Sequence, residues 1–324
     1  MVAASSVTVT TGARLHFGLC DLSDVSHRRF GGAGIEIAGP QTIVRITPNR
    51  GLSIVGHEHI DERSRIELNQ LLKRVSLRRG ELEVQIEIVS CAPQHVGLGS
   101  KTSLWMALLF ALDQFHGWSL GRTELQEMSG RGGTSGIGIH SFFHGGLVVD
   151  GGHVPGGPYR PSSASLEHDL PPLIVNLPVP TNWHFAILLP TGEQISGTDE
   201  EGFFDNNTPL PSLDSLKAIA AIHHGVIPAF ALKDLRLLRS ALIELHRCGF
   251  KRIELGSQSS EVRLAYEALA AREDVAVGLS SLGPVLYVVY DEEPVPLDKI
   301  AGGKSRVLGT WAARNTGPTI VATK

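Results

Sequence analysis

The chain has 324 residues, long for one compact core, so two domains or one large α/β unit are expected, and two is the starting assignment. Lys and Arg number 29 against 33 Asp and Glu, a dispersed net charge of −4 that advertises no nucleic-acid or membrane surface and points to a small-molecule partner. The three cysteines, Cys20, Cys91 and Cys248, are odd in number and lack metal-ligand spacing, excluding a disulfide framework or zinc site.

The start carries no leader pattern and no apolar run approaches the ~18 residues of a spanning helix, so a cytoplasmic protein with buried, reduced cysteines is expected. Residues 6–20 alternate Val7, Val9, Leu15, Phe17 and Leu19 with other residues, the period of a half-buried strand. Arg14 and His16 share its non-core face, which is either solvated or ligand-facing. A polar turn over residues 21–29 leads into Phe30-Gly31-Gly32-Ala33-Gly34, with Arg28 and Arg29 beside it. A plain hairpin and an anion-facing loop both fit that pattern. A strand over residues 35–46, interrupted at Gly39-Pro40, comes next.

Over residues 60–79, Leu68, Leu71, Leu72 and Val75 fall at i, i+3, i+4 and i+7, predicting an amphipathic helix stopped by Gly80. Leu82, Val84, Ile86 and Ile88 then alternate with polar residues in a strand. That strand delivers the chain into Pro93-x-x-x-Gly97-Leu98-Gly99-Ser100-x-Thr102, followed by an apolar helix from Leu104 to about Phe115. Strand, glycine turn and helix N-terminus form an anion cradle, because backbone N–H groups and the helix dipole converge there. The spacing is neither that of a Walker loop nor that of a Rossmann turn. Lys101 can reach a bound phosphate, and Thr102 or Ser103 is expected to cap the helix.

A short helix over residues 122–129 precedes a second glycine-rich stretch, Gly130-Arg131-Gly132-Gly133-Thr134-Ser135-Gly136-Ile137-Gly138, and then Leu147 to Val149 and Asp150-Gly151-Gly152-His153. Glycine is costly to order, so its density here argues for close approach of backbone to a ligand. Residues 155–180 read as a proline-rich extended connection with a short strand at 173–175, and the domain boundary is placed near 180. Residues 183–189 form a strand. Residues 197–207 read as a polar loop whose Asp199, Glu200, Glu201 and Asp205 either hold a metal or are simply solvated. Helices are expected over 215–232, 234–248, closed by Gly249, and 261–272. Strands are expected on either side of Gly278-Leu279-Ser280-Ser281-Leu282-Gly283-Pro284, then at 305–311 and 319–322, with Arg314-Asn315 between. The second half therefore reads as an α+β sandwich.

Residues 93–103 resemble the phosphate-binding motif of the GHMP kinase superfamily, and residues 278–284 its C-terminal glycine motif. The Arg14-Leu15-His16-Phe17-Gly18 start, the Arg29-Phe30-Gly31-Gly32 loop, the 130–138 stretch and Asp150-Gly151-Gly152-His153 narrow the resemblance to the β-ribofuranosylaminobenzene 5′-phosphate synthase family, a non-kinase branch. The resemblance implies an α+β, two-domain fold: residues 1–180 like ribosomal protein S5 domain 2, and residues 181–324 ferredoxin-like. It implies condensation of 5-phosphoribosyl 1-diphosphate with 4-aminobenzoate, releasing CO2 and diphosphate, in methanopterin-type C1 carrier synthesis. It further implies Mg2+, no organic cofactor and a homodimer. Lys101 departs from the small residue common at that loop position, which leaves open which phosphate the loop holds.

On this reading Gly97, Leu98, Gly99, Ser100 and Thr102 bind phosphate or diphosphate with Lys101 as charge partner. Arg131 with Gly132, Gly133, Thr134, Ser135 and Gly136 takes a second anion. Arg14, His16, Arg28, Arg29, Ser280 and Ser281 complete the binding set, and Asp150 or His153 orients substrate or holds the metal. Two other readings are an ATP-dependent small-molecule kinase and a non-catalytic phosphometabolite binder.

Overall fold

A computed structural model describes residues 5–161, 170–190, 198–291 and 305–323. Two long antiparallel strands, β1 (Ser6–Asp21) and β2 (Phe30–Pro48), form its backbone. Short β3 (Ser53–Val55) and helix α1 (Glu62–Arg79) follow. Asp61 caps α1 by accepting from Ser64 N, and Gly80 at φ +90° ends it as its sequence requires. β4 (Val84–Ser90) feeds α2 (Ser100–His116), after which come α3 (Arg122–Ser129), α4 (Ile137–His144), β5 (Leu147–Asp150) and β6 (Leu173–Leu177).

β2 serves two neighbours. Before its Gly39-Pro40 interruption it pairs with β5, Gly32 opposite Asp150; beyond it, with β4, Ile46 opposite Ile86. The sheet runs β3-β4-β2-β1 with β5 and β6 branching from β2. α1 and the almost wholly buried α2 cover one face, packing Leu68, Leu72, Leu104 and Leu108 on Val9, Val44 and Ile86.

The second half contains β7 (His184–Pro190), α5 (Thr198–Asn207), α6 (Ser212–Ala221), α7 (Ile227–Leu232), α8 (Leu235–Arg247), α9 (Gly249–Gly256), α10 (Ser260–Ala270), β8 (Ala276–Leu279), β9 (Leu286–Tyr290), β10 (Ser305–Ala312) and β11 (Thr319–Thr323). A four-stranded sheet, β10-β7-β9-β8, is backed by α10. Its other face meets the first sheet through a shared core in which Phe17 lies against Tyr287 and Phe230, with ring centroids 5.4 and 6.1 Å apart. β11 leaves the second half and pairs with β1, Thr8 opposite Val321. Arg314 and Asn315 secure that return. Arg314 N donates to Glu36 O, and the Asn315 amide bonds both N and O of Val179.

Several expectations are corrected. α2 starts at Ser100, four residues before the apolar run, because its first turn is polar. The described part of 197–207 is helical, its Phe203 and Phe204 rings packing on Phe250; Gly197 lies outside the described residues, as does 162–169 of the proline-rich connection. Gly249 starts α9 rather than only closing α8. The helical run Ser212–Leu232, continuous through a π-helical turn at Ile222–Val226, is long and apolar enough to cross a membrane by length and composition. Asp214, Lys217, His223 and His224 interrupt its sequence, and its Ala218, Ile222, Val226 and Phe230 are buried in the shared core.

Candidate active site

The site is built where β4 hands the chain to α2. Gly97 sits at φ +92°, and a Cβ there would lie 2.2 Å from Ser280 O, so the turn accepts no side chain. Ser280 Oγ donates to Gly97 O at 2.7 Å and Val285 N to Val96 O at 3.2 Å, which packs the residue 279–283 loop against the back of the turn. On the other side Arg14 N donates to Leu98 O at 3.0 Å. Gly99, at φ +67°, is the N-cap of α2, and a Cβ on it would meet the Arg14 side chain at 3.1 Å.

No side chain caps α2. Thr102 Oγ1 instead accepts from Arg131 Nε at 3.1 Å, so the expectation of a Thr102 or Ser103 cap is corrected. The first-turn amides, with the positive end of the helix dipole, remain available to an anion.

A cleft of about 180 Å³ opens over this turn, lined among others by Arg14, His16, Leu98, Gly99, Ser100, Lys101, Thr102, Arg131, Thr134, Ser135 and Ser281. Arg14 and Arg131 face each other's charge. Burial and Arg131 push the Arg14 guanidinium down to about 10, and burial lowers Arg131 as well. Among the described residues neither makes a direct ion pair, but Glu200 and Glu254 pull Arg14 up and Glu200 and Glu67 pull Arg131 up, in each case less than burial lowers it. Arg14 Nε is buried without a hydrogen-bond partner. Two desolvated like charges are unfavourable unless an anion joins them.

Lys101 leans away from the turn. Its Nζ lies 2.8 and 3.0 Å from the Glu67 carboxylate, which also accepts from Arg63 Nε at 3.1 Å. Burial raises the Glu67 carboxyl, but the bonds and charges of Lys101 and Arg63 outweigh it and hold it below its ordinary value. His16 is neutral, because burial, Arg14 and Lys251 hold it well below the ordinary histidine range. Its Nε2 lies 3.2 Å from Ser135 Oγ.

Other residues expected at the site go elsewhere. Arg28 donates to Gly151 O at 2.8 Å and Gly152 O at 2.6 Å. Arg29 pairs with Asp24, reaches Gly157 O at 2.6 Å and lies 4.4 Å over the Tyr159 ring. The His153 main chain exchanges both hydrogen bonds with Arg29, and its ring stands edge-on to Phe30. Asp150 accepts from Gly152 N and Gly136 N, each at 2.9 Å, and Ser135 Oγ lies 3.4 Å away. Those partners occupy both carboxylate oxygens, and burial pushes the acid up to about 6, so Asp150 does not fit a metal ligand. Among the described residues no group of three or more potential donors could hold a metal ion. Gly132 and Gly133 shape the turn that carries Thr134 and Ser135, and Ser280 is buried behind Gly97.

Sequence reasoning missed Arg63, Gln94, His95 and Glu254 on the cleft wall, and Glu67 behind it as the partner of Lys101 and Arg63. On a surface-type helix such as α1, Arg63 and Glu67 are an ordinary i, i+4 pair, which carries no functional signal.

The family description "GHMP kinases N terminal domain" matches residues 67–146, which span the turn and α2. A protein of Methanothermobacter thermautotrophicus named β-ribofuranosylphenol 5′-phosphate synthase is 30% identical over 93% of each chain. The chain belongs to this synthase family. A synthase of the same name from Methanocaldococcus jannaschii is 31% identical over 88% of this chain and 90% of its own. The synthase fold extends well beyond these sequences. Homoserine kinase from Cytophaga hutchinsonii superposes with a TM-score of 0.68 at 15% identity, covering 98% of both chains. Mevalonate diphosphate decarboxylase from Staphylococcus aureus superposes with a TM-score of 0.57 at 12% identity, again over 98% of both. The GHMP kinase fold expected from the sequence is therefore the observed one.

Proposed function

We propose that this enzyme joins 5-phosphoribosyl 1-diphosphate to a para-substituted benzoate, releasing CO2 and diphosphate, in the cytoplasm and on the way to a methanopterin-type C1 carrier. The observation that carries this reading is the half-buried Arg14 and Arg131 pair, whose desolvation outweighs the pull of the carboxylates around it, beside the uncapped start of α2. Diphosphate departs from C1 of the ribose, leaving oxocarbenium character. The ring carbon bearing the carboxylate attacks, the C–CO2 bond breaks, and aromaticity returns. The protein's task is to neutralise the departing anion and hold two reactants in line, and no covalent nucleophile is needed.

Magnesium in this proposal travels with the diphosphate, as small hard cations bound through substrate phosphates and few carboxylates do. The acceptor's para group distinguishes two versions. The sequence resemblance favours 4-aminobenzoate, whereas the relatives, named for a phenol product, favour 4-hydroxybenzoate. A homodimer is also proposed, to be read by sedimentation.

The deciding assay supplies phosphoribosyl diphosphate, Mg2+ and each carboxyl-labelled benzoate in turn. Labelled CO2 and diphosphate in equal amounts are expected, and the faster acceptor names the substrate. Recovery of both substrates intact, or ATP-dependent phosphorylation of a small alcohol without CO2, overturns the proposal.

A further inference from the structure

The cleft has a second wall, to which α9 contributes. Glu254, on α9, lines it and is only 5% exposed. One of its carboxylate oxygens lies 2.5 Å from Nζ of Lys251, one turn earlier and 1% exposed. Lys251 gives its remaining protons to Leu279 O at 3.1 Å and Ser281 O at 3.0 Å. All three ammonium donors are thereby placed, which fixes the Glu254 carboxylate against the residue 279–283 loop behind Gly97. The other Glu254 oxygen makes no hydrogen bond to a described residue and is not among the buried atoms left without a partner, so it is open to the cleft that Glu254 lines. A carboxylate oxygen held in place by Lys251 and open to the cleft is an acceptor for a donor arriving with the ligand.

The chemistry of that donor is constrained. A second phosphate presents only acceptor oxygens to a carboxylate oxygen that itself only accepts. A metal ion is opposed by the adjacent Lys251 ammonium, which already neutralises the acid. A neutral hydroxyl meets neither objection. Glu254 is also close enough to Arg14 for each to perturb the other's ionisation, so the hydroxyl belongs to the molecule whose phosphate Arg14 holds.

We infer that Glu254 accepts hydrogen bonds from the sugar hydroxyls of a phosphorylated pentose, making the cleft bipolar: phosphate toward Arg14, Arg131 and the start of α2, diol toward α9. Lys251 is the positioning residue. The identity of the pentose rests on the proposed function; the subsite itself does not depend on turnover.

Calorimetric titration of ribose 5-phosphate, 2-deoxyribose 5-phosphate and inorganic diphosphate tests this without catalysis. The native protein should prefer ribose over deoxyribose 5-phosphate at least about fivefold, since a hydrogen bond to a charged group is lost with the 2-hydroxyl. Glu254→Gln should bind ribose 5-phosphate about tenfold more weakly and lose the preference, while diphosphate affinity stays within twofold. A double variant, Lys251→Met with Glu254→Met, removes both buried charges together and should behave the same way, guarding against an orphaned ammonium. Retained preference in the variants overturns the inference. So does an equal loss for ribose 5-phosphate and diphosphate, or a raised KM for the benzoate with pentose phosphate binding unchanged. Absence of CO2 release, by contrast, would remove the synthase proposal and leave the subsite standing.

Discussion

Two glycine-rich turns stand beside arginine pairs, and they treat charge in opposite ways. Around residues 97–102, Arg14 and Arg131 are half-buried and make no direct ion pair among the described residues, and desolvation outweighs the more distant pull of Glu200, Glu254 and Glu67. Around residues 150–157, Arg28 and Arg29 have their donors on backbone carbonyls and Asp24, and Asp150 has its oxygens on backbone amides. The first arrangement leaves its electrostatic account open for a ligand; the second is closed by the protein. Glycine density and nearby arginine are common to both, so neither identifies a binding turn. What separates them is whether the charges already have partners.

Removing one charge from the open turn should give the largest effect. Arg14→Met is expected to lower kcat/KM for phosphoribosyl diphosphate at least about 100-fold, the scale of losing a charge that meets a leaving anion. Its melting temperature should equal or exceed that of the native protein, because a desolvated like-charge contact is relieved. Kinetics and a thermal melt on one preparation give both readings. A melting temperature several degrees lower would show that Arg14 is held by a partner and that the turn is closed.

The glycines sharpen the same contrast. Gly97→Ala places a Cβ 2.2 Å from a backbone oxygen at φ +92°, whereas Gly130→Ala, at φ +62°, meets nothing within 4 Å. Gly130→Ala should cost about 1 kcal/mol, the left-handed backbone term alone. Gly97→Ala must also displace the Ser280 main chain, and should cost at least about 3 kcal/mol by urea unfolding. Equal costs would mean that the loop behind Gly97 yields freely. In the closed turn, Arg29→Met should lower stability by about 1–2 kcal/mol through its lost hydrogen bonds and its Tyr159 contact, with kcat/KM within threefold of native.

The sequence made the open turn legible because its message is local: a strand period, two glycines and a helix within about twenty residues. Where partners are remote, it was silent. Nothing near Arg28 reveals that its acceptors are carbonyls of Gly151 and Gly152. Lys251 and Glu254 look like a surface pair at i, i+3, and only the arrival of residues 279–283 buries them. α9 was missed because Gly249, at φ +56°, ends one helix in the left-handed region and opens the next. The return of β11 to β1 joins residues more than 300 apart, and no pattern in either strand names the other.

The smallest effect concerns the two carboxylates, whose titrations run in opposite directions. Glu67, beside Lys101, is held below its ordinary value, so its contribution to stability is present above about pH 4.5 and is lost as pH falls. Asp150 is raised from 3.8 to about 6 by burial, so the native state binds its proton more tightly than the unfolded chain. Its contribution is therefore full below pH 4 and is lost as pH rises through about 6. The rise from 3.8 to about 6 bounds the change at about 3 kcal/mol, and water near the turn would reduce it. Asp150→Asn cannot titrate and loses an acceptor for Gly136 or Gly152, so it should be less stable at every pH. The informative quantity is the slope: in urea unfolding, the stability of the native protein relative to Asp150→Asn should fall as pH rises from about 4 to 7, and relative to Glu67→Gln it should rise only below about pH 4.5 and be flat above it. A native-minus-Asp150→Asn difference that stays flat would show Asp150 titrating as it does in the unfolded chain, which requires water at its oxygens and would open the turn described here as closed.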